Sequence, residues 1–238
     1  MKRLVKLLRF IVCCAFLFSC ITSCSIEPLD QRVSADELEQ LRVQYPYNDS
    51  VPPMASVSYS HLQTWEQISS TLRVYAVVSL TLTDEWFSSD APHSPIQGVK
   101  PQDVPAPLNS VTGIFHPAVV DKVLWGGPDL EDGEEITLFF SAIMPLDDLK
   151  ETFKSDESYV CFLFDYRENN YNIPSFFVEK EDTWHLTDSN VLVAASSHFA
   201  CIDECSGMYL DAFQSEIVTY LGPPDAELTP VEPELQTE

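Results

Sequence analysis

The sequence predicts a mainly β fold with some helix, an α+β domain built as a small antiparallel barrel. Short segments rich in β-branched and aromatic residues recur between turns that contain glycine, proline, asparagine or aspartate, which is typical of strands joined by hairpins. A short helix is expected ahead of the first strand, and an amphipathic helix should cap the barrel after the last one. Apolar residues make up 45% of the chain, enough for a buried core.

The predicted helices are recognised by their capping and apolar spacing. Residues 34–37 (Ser-Ala-Asp-Glu) match a capping box, and the helix that they begin should end by Tyr45 and Pro46. Further short helices are expected over 61–69 and around 146–153. The closing helix is expected over 206–221, since Gly-Pro-Pro follows it.

The predicted strands are short and apolar. They are expected at 72–82, 119–125, 135–143, 159–166, 175–179, 183–186 and 190–195, with one more at 111–115. The segment 159–166 is the most hydrophobic, so it should be central and buried on both sides. The last three segments have the spacing of hairpins.

A proline-rich insertion, residues 84–117, interrupts this regular pattern. Its six prolines leave few backbone donors for a strand ladder. A long irregular loop in a small domain is usually functional or disordered. Trp86 and Phe87 begin the insertion, where large apolar side chains have little structural role, so we expect them to contact a ligand or partner.

Turn and core residues of the predicted barrel match a known kind of domain. Val120, Val123, Leu124 and Gly126 form V-x-x-V-L-x-G, Leu130, Gly133, Glu134, Ile136 and Thr137 form L-x-x-G-(D/E)-x-I-T, and an aromatic-rich strand follows at 159–164. From residue 64 to 195 the chain resembles the OB-like β-barrel domains of uncharacterised lipoproteins from Gram-positive bacteria. The resemblance implies an OB-like barrel and says little about chemistry. The proline-rich insertion departs from the family pattern.

The N-terminus has the build of an export signal. Lys2, Arg3, Lys6 and Arg9 precede an apolar run at 10–18. A bilayer-spanning helix needs about 20 apolar residues, so this run indicates a cleaved secretory signal. Ile-Thr-Ser-Cys at 21–24 follows it and resembles the lipobox of bacterial lipoproteins. The resemblance implies cleavage before Cys24, attachment of acyl chains such as palmitate, and anchoring at the extracytoplasmic face of the cell membrane.

Two alternatives to this processing remain. A cut before Cys20 would place the bulky Phe18 where the family prefers a small or slim residue, so Cys24 is favoured. An ordinary signal peptide would leave Cys24 as a plain thiol. With lipidation, the chain divides into a lipoprotein signal (1–23), a tether with a short helix (24–59), a barrel domain (60–222) and a disordered acidic tail (223–238).

The charge balance limits the partners. Removal of the signal leaves 9 basic against 37 acidic residues, a formal charge of −28. Nucleic-acid binding needs a basic footprint, so we expect no nucleic-acid partner. The expected partners are the membrane, through the N-terminal lipid, and an extracytoplasmic protein or ligand.

Three cysteines, Cys161, Cys201 and Cys205, lie in the predicted domain. Cys161 falls in the most hydrophobic strand and should be a buried free thiol. Cys201 and Cys205 are close in sequence and are predicted to form a disulfide in an oxidising compartment. A metal site formed by His198 with these two cysteines is the alternative, but it lacks an evident fourth ligand.

The remaining motifs favour a binding role over catalysis. There is no G-x-S-x-G, no H-E-x-x-H and no phosphate-binding glycine loop, so no catalytic residue, cofactor or metal is assigned. The acidic segment 129–135 fails the EF-hand register because glycine falls at position 5, and it is expected to be a solvated turn. We therefore expect a binding module. The alternatives are an enzyme built from scattered acids with His185 or His198, and a structural or sensory accessory of the envelope.

Replacing the predicted lipid acceptor should prevent anchoring. In Cys24→Ser the hydroxyl cannot form the thioether to diacylglycerol, so labelled palmitate should not be incorporated and the chain should leave the membrane fraction. Cys20→Ser is the matched control and should be labelled like the natural chain. Loss of label in Cys20→Ser alone would move the cleavage site to Cys20.

Overall fold

Five strands close into a barrel that carries further strands and helices on its outside. The computed structural model describes residues 31–49, 64–71, 73–83, 85–92, 110–140 and 146–224. Its strands are β1 (Ala76–Leu82), β2 (Phe87–Pro92), β3 (Ser110–Gly126), β4 (Glu135–Phe140), β5 (Ser158–Asp165), β6 (Phe176–Phe177), β7 (Thr183–Leu186) and β8 (Leu192–Ala194). The ring runs β1–β3–β4–β6–β5, and it closes because β5 also pairs with β1. A mixed α and β chain with a small barrel is thereby confirmed.

The helices follow the predicted pattern with shifted ends. They are α1 (Ala35–Gln44), α2 (Trp65–Thr71), α3 (Leu146–Thr152), α4 (Ala200–Asp203) and α5 (Leu210–Leu221), with a 3₁₀ turn at Lys180–Asp182. Ser34 caps α1 as predicted, since its hydroxyl accepts a hydrogen bond from the Glu37 amide at 3.3 Å. The closing helix begins at Leu210, later than predicted, after the separate short helix α4.

Two details of the predicted pairing were wrong. The β4–β6 pair is parallel, so the barrel is not wholly antiparallel. The last three strands do not form consecutive hairpins, because β6 and β7 pair with different halves of β5. Only β7 and β8 form a hairpin among them. The 3₁₀ turn redirects the chain between the two contacts with β5.

The end of the proline-rich insertion belongs to a long strand. The sequence suggested separate strands at 111–115 and 119–125, but β3 continues through Pro117 for 17 residues. Two strands share one edge of β3. Strand β2 pairs with the residues of β3 up to Phe115, and β1 pairs with those from Ala118 onward. Pro117 lies at this change, where the strand tolerates a residue without an amide donor. Within the insertion, Phe87–Pro92 also forms a strand.

The strands of the barrel separate two apolar cores. The first fills the barrel interior and includes Val78, Leu80, Leu138 and Phe140. The second lies outside the barrel, against α2, α4, α5 and the β7–β8 hairpin, and includes Val77, Phe162, Trp184 and Phe213. Strands β1 and β5 contribute alternate side chains to both cores. The prediction that 159–166 is buried on both sides is confirmed for Tyr159–Leu163.

Part of the predicted tether is bound to the domain. We call Arg32–Asp49 the strap. The backbone of Arg32 forms an isolated antiparallel β-bridge with Met208, and the Asn48 amide donates to the Ala195 carbonyl at 3.0 Å. The half-buried Arg42 donates to the Ala194 carbonyl at 2.6 Å and to Asp203 at 2.5 Å. The compact unit therefore begins at Arg32 and not near residue 60.

Several predicted features lie outside the described residues. These are the signal segment, Cys24, residues 50–63, most of the proline-rich insertion (93–109) and the tail from residue 225. Within the described part of the chain, no helix combines the length and apolar character needed to cross a membrane. The lipid anchor and the acidic tail stay predictions.

Gly126, the last residue of β3, and Gly133, in the turn between β3 and β4, give a test of the barrel geometry. Gly126 has φ of +67°, and a Cβ built there would lie 2.4 Å from the Tyr75 carbonyl oxygen. Gly126→Ala should therefore lower the free energy of unfolding by more than about 2 kcal/mol in urea titrations. Gly133 has φ of +86° and no atom within 4 Å of such a Cβ. Gly133→Ala should cost only about 1–2 kcal/mol, and equal losses in both variants would contradict the close approach.

Candidate functional site

The two residues predicted to contact a ligand point in different directions. Trp86 packs edge-on against His116, with 4.7 Å between ring centroids, and against Phe140 at 5.0 Å, so it covers the barrel core. Phe87 lies on the outer face, stacks on Phe115 at 5.3 Å and is 40% exposed. Of the two, Phe87 is the side chain that a partner can reach. Its role in binding stays a prediction.

Phe87 belongs to a row of phenylalanines that crosses five adjacent strands. The register pairs Phe87 with Phe115, Phe115 with Phe139, Phe139 with Phe177, and Phe177 with Phe164. Neighbouring ring centroids are 5.3 to 6.1 Å apart. We call these five residues the aromatic ladder. Phe115 and Phe139 are buried within it, while Phe87, Phe164 and Phe177 keep part of their surface exposed.

Two tyrosines from the β5–β6 connection cover the middle of the ladder. Tyr166 stacks on Phe139 with centroids 4.8 Å apart, and Tyr171 contacts Phe115 at 5.3 Å edge-on. The Tyr171 ring rests on Gly113, where a Cβ would lie 2.8 Å from ring atoms of both Tyr171 and Phe115. Gly113 therefore allows the connection to pack flat against β3.

Polar contacts hold this connection in place. Asn169 Nδ2 donates to the carbonyls of Tyr166 (2.6 Å) and Ile173 (2.7 Å), and its Oδ1 accepts from the Tyr171 amide. The Arg167 guanidinium donates to Asp165 and Asp129, and these hydrogen bonds raise the pKa of Arg167. The tyrosines over the ladder are thus positioned before any ligand arrives.

The cysteine and histidine residues considered for metal binding have other roles. Cys201 and Cys205 are buried free thiols, with Cys205 Sγ 3.6 Å from the Cys201 carbonyl oxygen. Burial raises their pKa to about 11 and about 12. The predicted disulfide is not formed in the structure and stays a prediction. Cys161 is a buried free thiol, as expected. Among the described residues, no group of three His, Cys, Asp or Glu side chains is placed to hold a metal.

The acidic segment 129–135 stabilises its own turn. Asp132 accepts the Val123 amide at 2.8 Å, and Glu134 accepts the Glu131 amide at 3.0 Å. Asp129 binds Arg167. These contacts give the acids a structural role.

His198 lies beside a serine and an aspartate, but the arrangement is unsuited to nucleophilic catalysis. Ser196 Oγ donates to Asp49 at 2.8 Å and lies 2.6 Å from His198 Nδ1, so the serine stands between the other two. In a catalytic triad the imidazole is central and accepts the serine proton. Ser196 is also fully buried. With Ser197, whose hydroxyl donates to Asp49 at 2.6 Å, it fastens the end of the strap.

His185 borders a cleft. Together with Asp49 and Glu151 it lines a space of about 300 Å³ beneath the end of the strap. Two acids and a histidine in one cleft keep the enzymatic alternative open. Burial lowers the pKa of His185 to about 4, so the imidazole is neutral at physiological pH.

The 3₁₀ turn after β6 carries buried charged groups. Lys180, Glu181 and Asp182 are each at most 3% exposed, and Lys180 Nζ donates to the Asn48 carbonyl at 2.7 Å. Neither carboxylate oxygen of Asp182 has a hydrogen-bond partner among the described residues. Burial, with the nearby Glu181 charge, raises the pKa of Glu179 to about 7. Burial and the Glu179 charge raise the pKa of Asp182 well above its usual range.

Comparison of the sequence with profiles of protein families and with characterised proteins gave no match. The functional argument therefore rests on the geometry. Sequence reasoning located Phe87 but missed its four partners in the ladder, since these lie in four other strands. The available signal was that four of the predicted strands, 111–115, 135–143, 159–166 and 175–179, each contain one of these phenylalanines. The cleft at His185 had no signal, because the strap was expected to be a free tether.

The buried acids predict how stability depends on pH. Because the folded-state pKa values of Glu179 and Asp182 exceed the unfolded value near 4, both carboxyls contribute their full stability below about pH 4, and the contribution of Glu179 is lost as the pH rises through about 7. The free energy of unfolding in urea should therefore be lower at pH 8 than at pH 5. Asp182→Asn, neutral at every pH, should reduce this difference.

Asp188→Asn is the matched control for this measurement, since Asp188 is exposed. It should keep the pH dependence of the natural chain. Parallel pH profiles for Asp182→Asn and the natural chain would show that the buried carboxyl is not the titrating group.

Proposed function

We propose that this chain is a lipoprotein, anchored by acyl chains on Cys24 at the extracytoplasmic face of the cell membrane, whose OB-like barrel binds a protein partner through the aromatic ladder. The observation that carries the proposal is the ladder itself, a continuous row of aromatic rings on the outside of a closed barrel. Packing inside the protein explains why Phe115 and Phe139 are buried, but it does not explain why the Phe87 ring keeps an exposed surface.

The strand order supports an OB-like barrel. An OB-fold is a five-stranded Greek-key barrel whose first strand pairs with the second and fourth and whose third pairs with the fifth. When β1, β3, β4, β5 and β6 are taken as the five strands, the observed pairs follow this scheme, including a parallel third and fifth strand. Helix α3 lies between the third and the fourth strand.

The position of the ladder agrees with this reading. OB-folds bind ligands on the face of their second and third strands and on the loops after the first and fourth. Phe115 and Phe139 lie on those strands, Phe87 lies in the connection after the first, and Tyr171 lies in the connection after the fourth. The four rings form one cluster, in which Phe115, Phe139 and Tyr171 contact one another and Phe87 joins them through Phe115.

The charges around the ladder favour a protein partner over a nucleic acid. Asp90 and Glu168 lie exposed on the strand and the connection that border it, and the nearby Arg167 is occupied by Asp165 and Asp129. An aromatic centre with a polar rim is the usual composition of a protein interface. The partner should therefore present an apolar patch with basic residues around it.

The short span between the predicted lipid and the strap limits where binding takes place. Since the compact unit begins at Arg32, seven residues (25–31) separate it from Cys24. Fully extended, the chain from Cys24 to Arg32 spans at most about 29 Å. A partner is therefore expected close to the membrane surface.

Photocrosslinking tests the face in the cells that produce the protein. Replacing Phe87 with p-benzoylphenylalanine in the full-length chain should give a discrete crosslinked partner. Val218, an apolar residue of α5 that is 47% exposed and lies outside the ladder, is the matched position and should not give that product. The adduct from position 87 should also weaken in Gly113→Val, whose side chain would displace Tyr171.

The same adduct from both positions would mean non-specific proximity. No adduct from position 87 would contradict the proposed partner. Fractionation of the same cells tests the anchor separately, because lipidation does not depend on the ladder.

A further inference from the structure

Strand β2 has an outer edge, the one that faces away from β3, which pairs with no other strand in the described part of the chain. The six residues Phe87–Pro92 pair with β3 alone. An edge strand presents a row of unpaired backbone N–H and C=O groups, which form a template for pairing with another chain. The aromatic ladder ends at this same edge, because Phe87 is its terminal ring.

Backbone hydrogen bonds of β3 show which of its residues face β2. The Pro117 carbonyl accepts from the Thr83 amide at 3.2 Å, on the edge of β3 that β1 and β2 share. The Val120 amide donates to the Glu134 carbonyl at 2.9 Å, on the opposite edge beside β4. Because the backbone groups of a strand alternate between its two edges, the odd-numbered residues from 111 to 117 face β2 and β1, and the even-numbered ones face β4.

The same alternation shows which groups of β2 face outward. Phe87 lies opposite Phe115, an odd-numbered residue of β3, so the odd-numbered residues of β2 exchange their backbone hydrogen bonds with β3. Ser88 and Asp90 therefore direct both their N–H and their C=O groups to the outer edge, and both residues are exposed. Pro92 follows in the same series, where the missing N–H costs no bond to β3.

The Phe87 ring lies where an added strand would cover it. The backbone of Phe87 bonds to β3, so a residue placed opposite it on the outer edge forms a non-hydrogen-bonded pair, the arrangement in which facing side chains are closest. Aromatic and β-branched side chains stabilise such cross-strand pairs. An apolar side chain at this point would cover the exposed surface of the Phe87 ring and extend the ladder by one strand.

The charges at this edge are acidic. Asp90 is exposed, and its carboxylate accepts a hydrogen bond from Thr112 Oγ1 at 2.6 Å. Glu85, just before β2, is exposed as well. Opposite charges on facing strands are stabilising and like charges are destabilising. A second copy of this chain is a poor occupant, because residues 24–238 contain 37 acidic and 9 basic residues and the two copies would repel each other.

We propose that the protein partner adds an extended segment to the outer edge of β2, pairs with the backbone of Ser88 and Asp90, and places an apolar side chain on Phe87 and a basic one opposite Asp90. The inference rests on the proposed binding function of the ladder and specifies how the partner is held there. In strand addition the main-chain hydrogen bonds supply affinity, and alternate side chains supply specificity. A segment of about four residues covers the edge from Phe87 to Asp90.

Amide hydrogen exchange, followed by NMR on the full mature chain in detergent micelles, tests the edge without the partner. The Ser89 amide donates to β3, so it should exchange at least about tenfold more slowly than the amides of Ser88 and Asp90, each taken relative to its rate in an unfolded chain. Equal protection of the three amides would mean that the outer edge is already covered, which would overturn the proposal.

Photocrosslinking from position 87, in the cells that produce the protein, tests the pairing with the partner. Ser88→Pro removes an outward N–H and places ring atoms against the incoming strand, while the bonds between β2 and β3 stay intact. The adduct should fall at least about fivefold, because the partner loses a backbone hydrogen bond and meets a steric obstacle. Ser88→Ala keeps the N–H and is the matched control, with the adduct of the natural chain.

The charge of the partner segment is tested at Asp90. Asp90→Asn keeps an acceptor for Thr112 and removes the negative charge, so the adduct from position 87 should fall about twofold. Asp147→Asn is the matched control, since Asp147 is an exposed acid of α3 outside β2. Equal adducts from the two variants would contradict the basic residue opposite Asp90.

The outcomes separate strand addition from binding at the ladder. If Ser88→Pro and Ser88→Ala give equal adducts while Gly113→Val still weakens the adduct, strand addition is overturned and the binding function of the ladder stands. An adduct between two copies of this chain would overturn the assignment to a basic partner. No adduct from position 87 in the natural background would overturn both proposals. Thermal unfolding of each variant shows that it is folded, so that a lost adduct reports on the edge.

Discussion

The pairing of β5 with β1 is the contact on which the other features depend. It closes the barrel through six residue pairs, from Ala76 opposite Leu163 to Thr81 opposite Ser158. The free edge of β5 is then shared between β6, which completes the ring, and β7, which starts the outer hairpin. Because both strands supply alternate side chains to two cores, closure of the barrel and packing of the helices depend on the same two strands. A polar substitution in β1 or β5 would therefore disturb both sides of the sheet.

The strap adds a second constraint, which is polar. Arg42 is half-buried, and burial lowers its pKa even though Asp203 is beside it. A buried cation is tolerated when its donors are satisfied, and Arg42 reaches the Ala194 carbonyl, Asp203 and Ser206 while its guanidinium stacks on Tyr47. These contacts fix the turn after α1, so Tyr45 is held over His185. The end of the strap, residues 44–49, thus forms one wall of the cleft that His185 borders.

Local sequence signals predicted the elements well and their assembly less well. The capping box at Ser34, the strand Thr183–Leu186 and the buried strand β5 follow from apolar spacing, capping and turn residues, which act over a few positions. Pairing between distant strands depends on register and closure, which no short window contains. For this reason the passage of β3 through Pro117 and the parallel β4–β6 pair were missed. The docking of the strap was missed for a related reason, since two of its acceptors, the Glu204 and Ala194 carbonyls, lie more than 150 residues away from the arginines that reach them.

The aromatic ladder shows how register creates a feature that composition hides. Four of its phenylalanines come from strands whose positions in the chain lie 28, 24 and 38 residues apart, at 87, 115, 139 and 177. A shift of one residue in any pairing would turn a ring into the barrel interior, because successive side chains point to opposite faces. Two of the rings are already buried by their neighbours, so the row can be stabilised by packing alone. The exposed ring of Phe87, placed on the connection between the first two barrel strands, is the part that packing does not require, and this is why the proposed recognition is assigned to it.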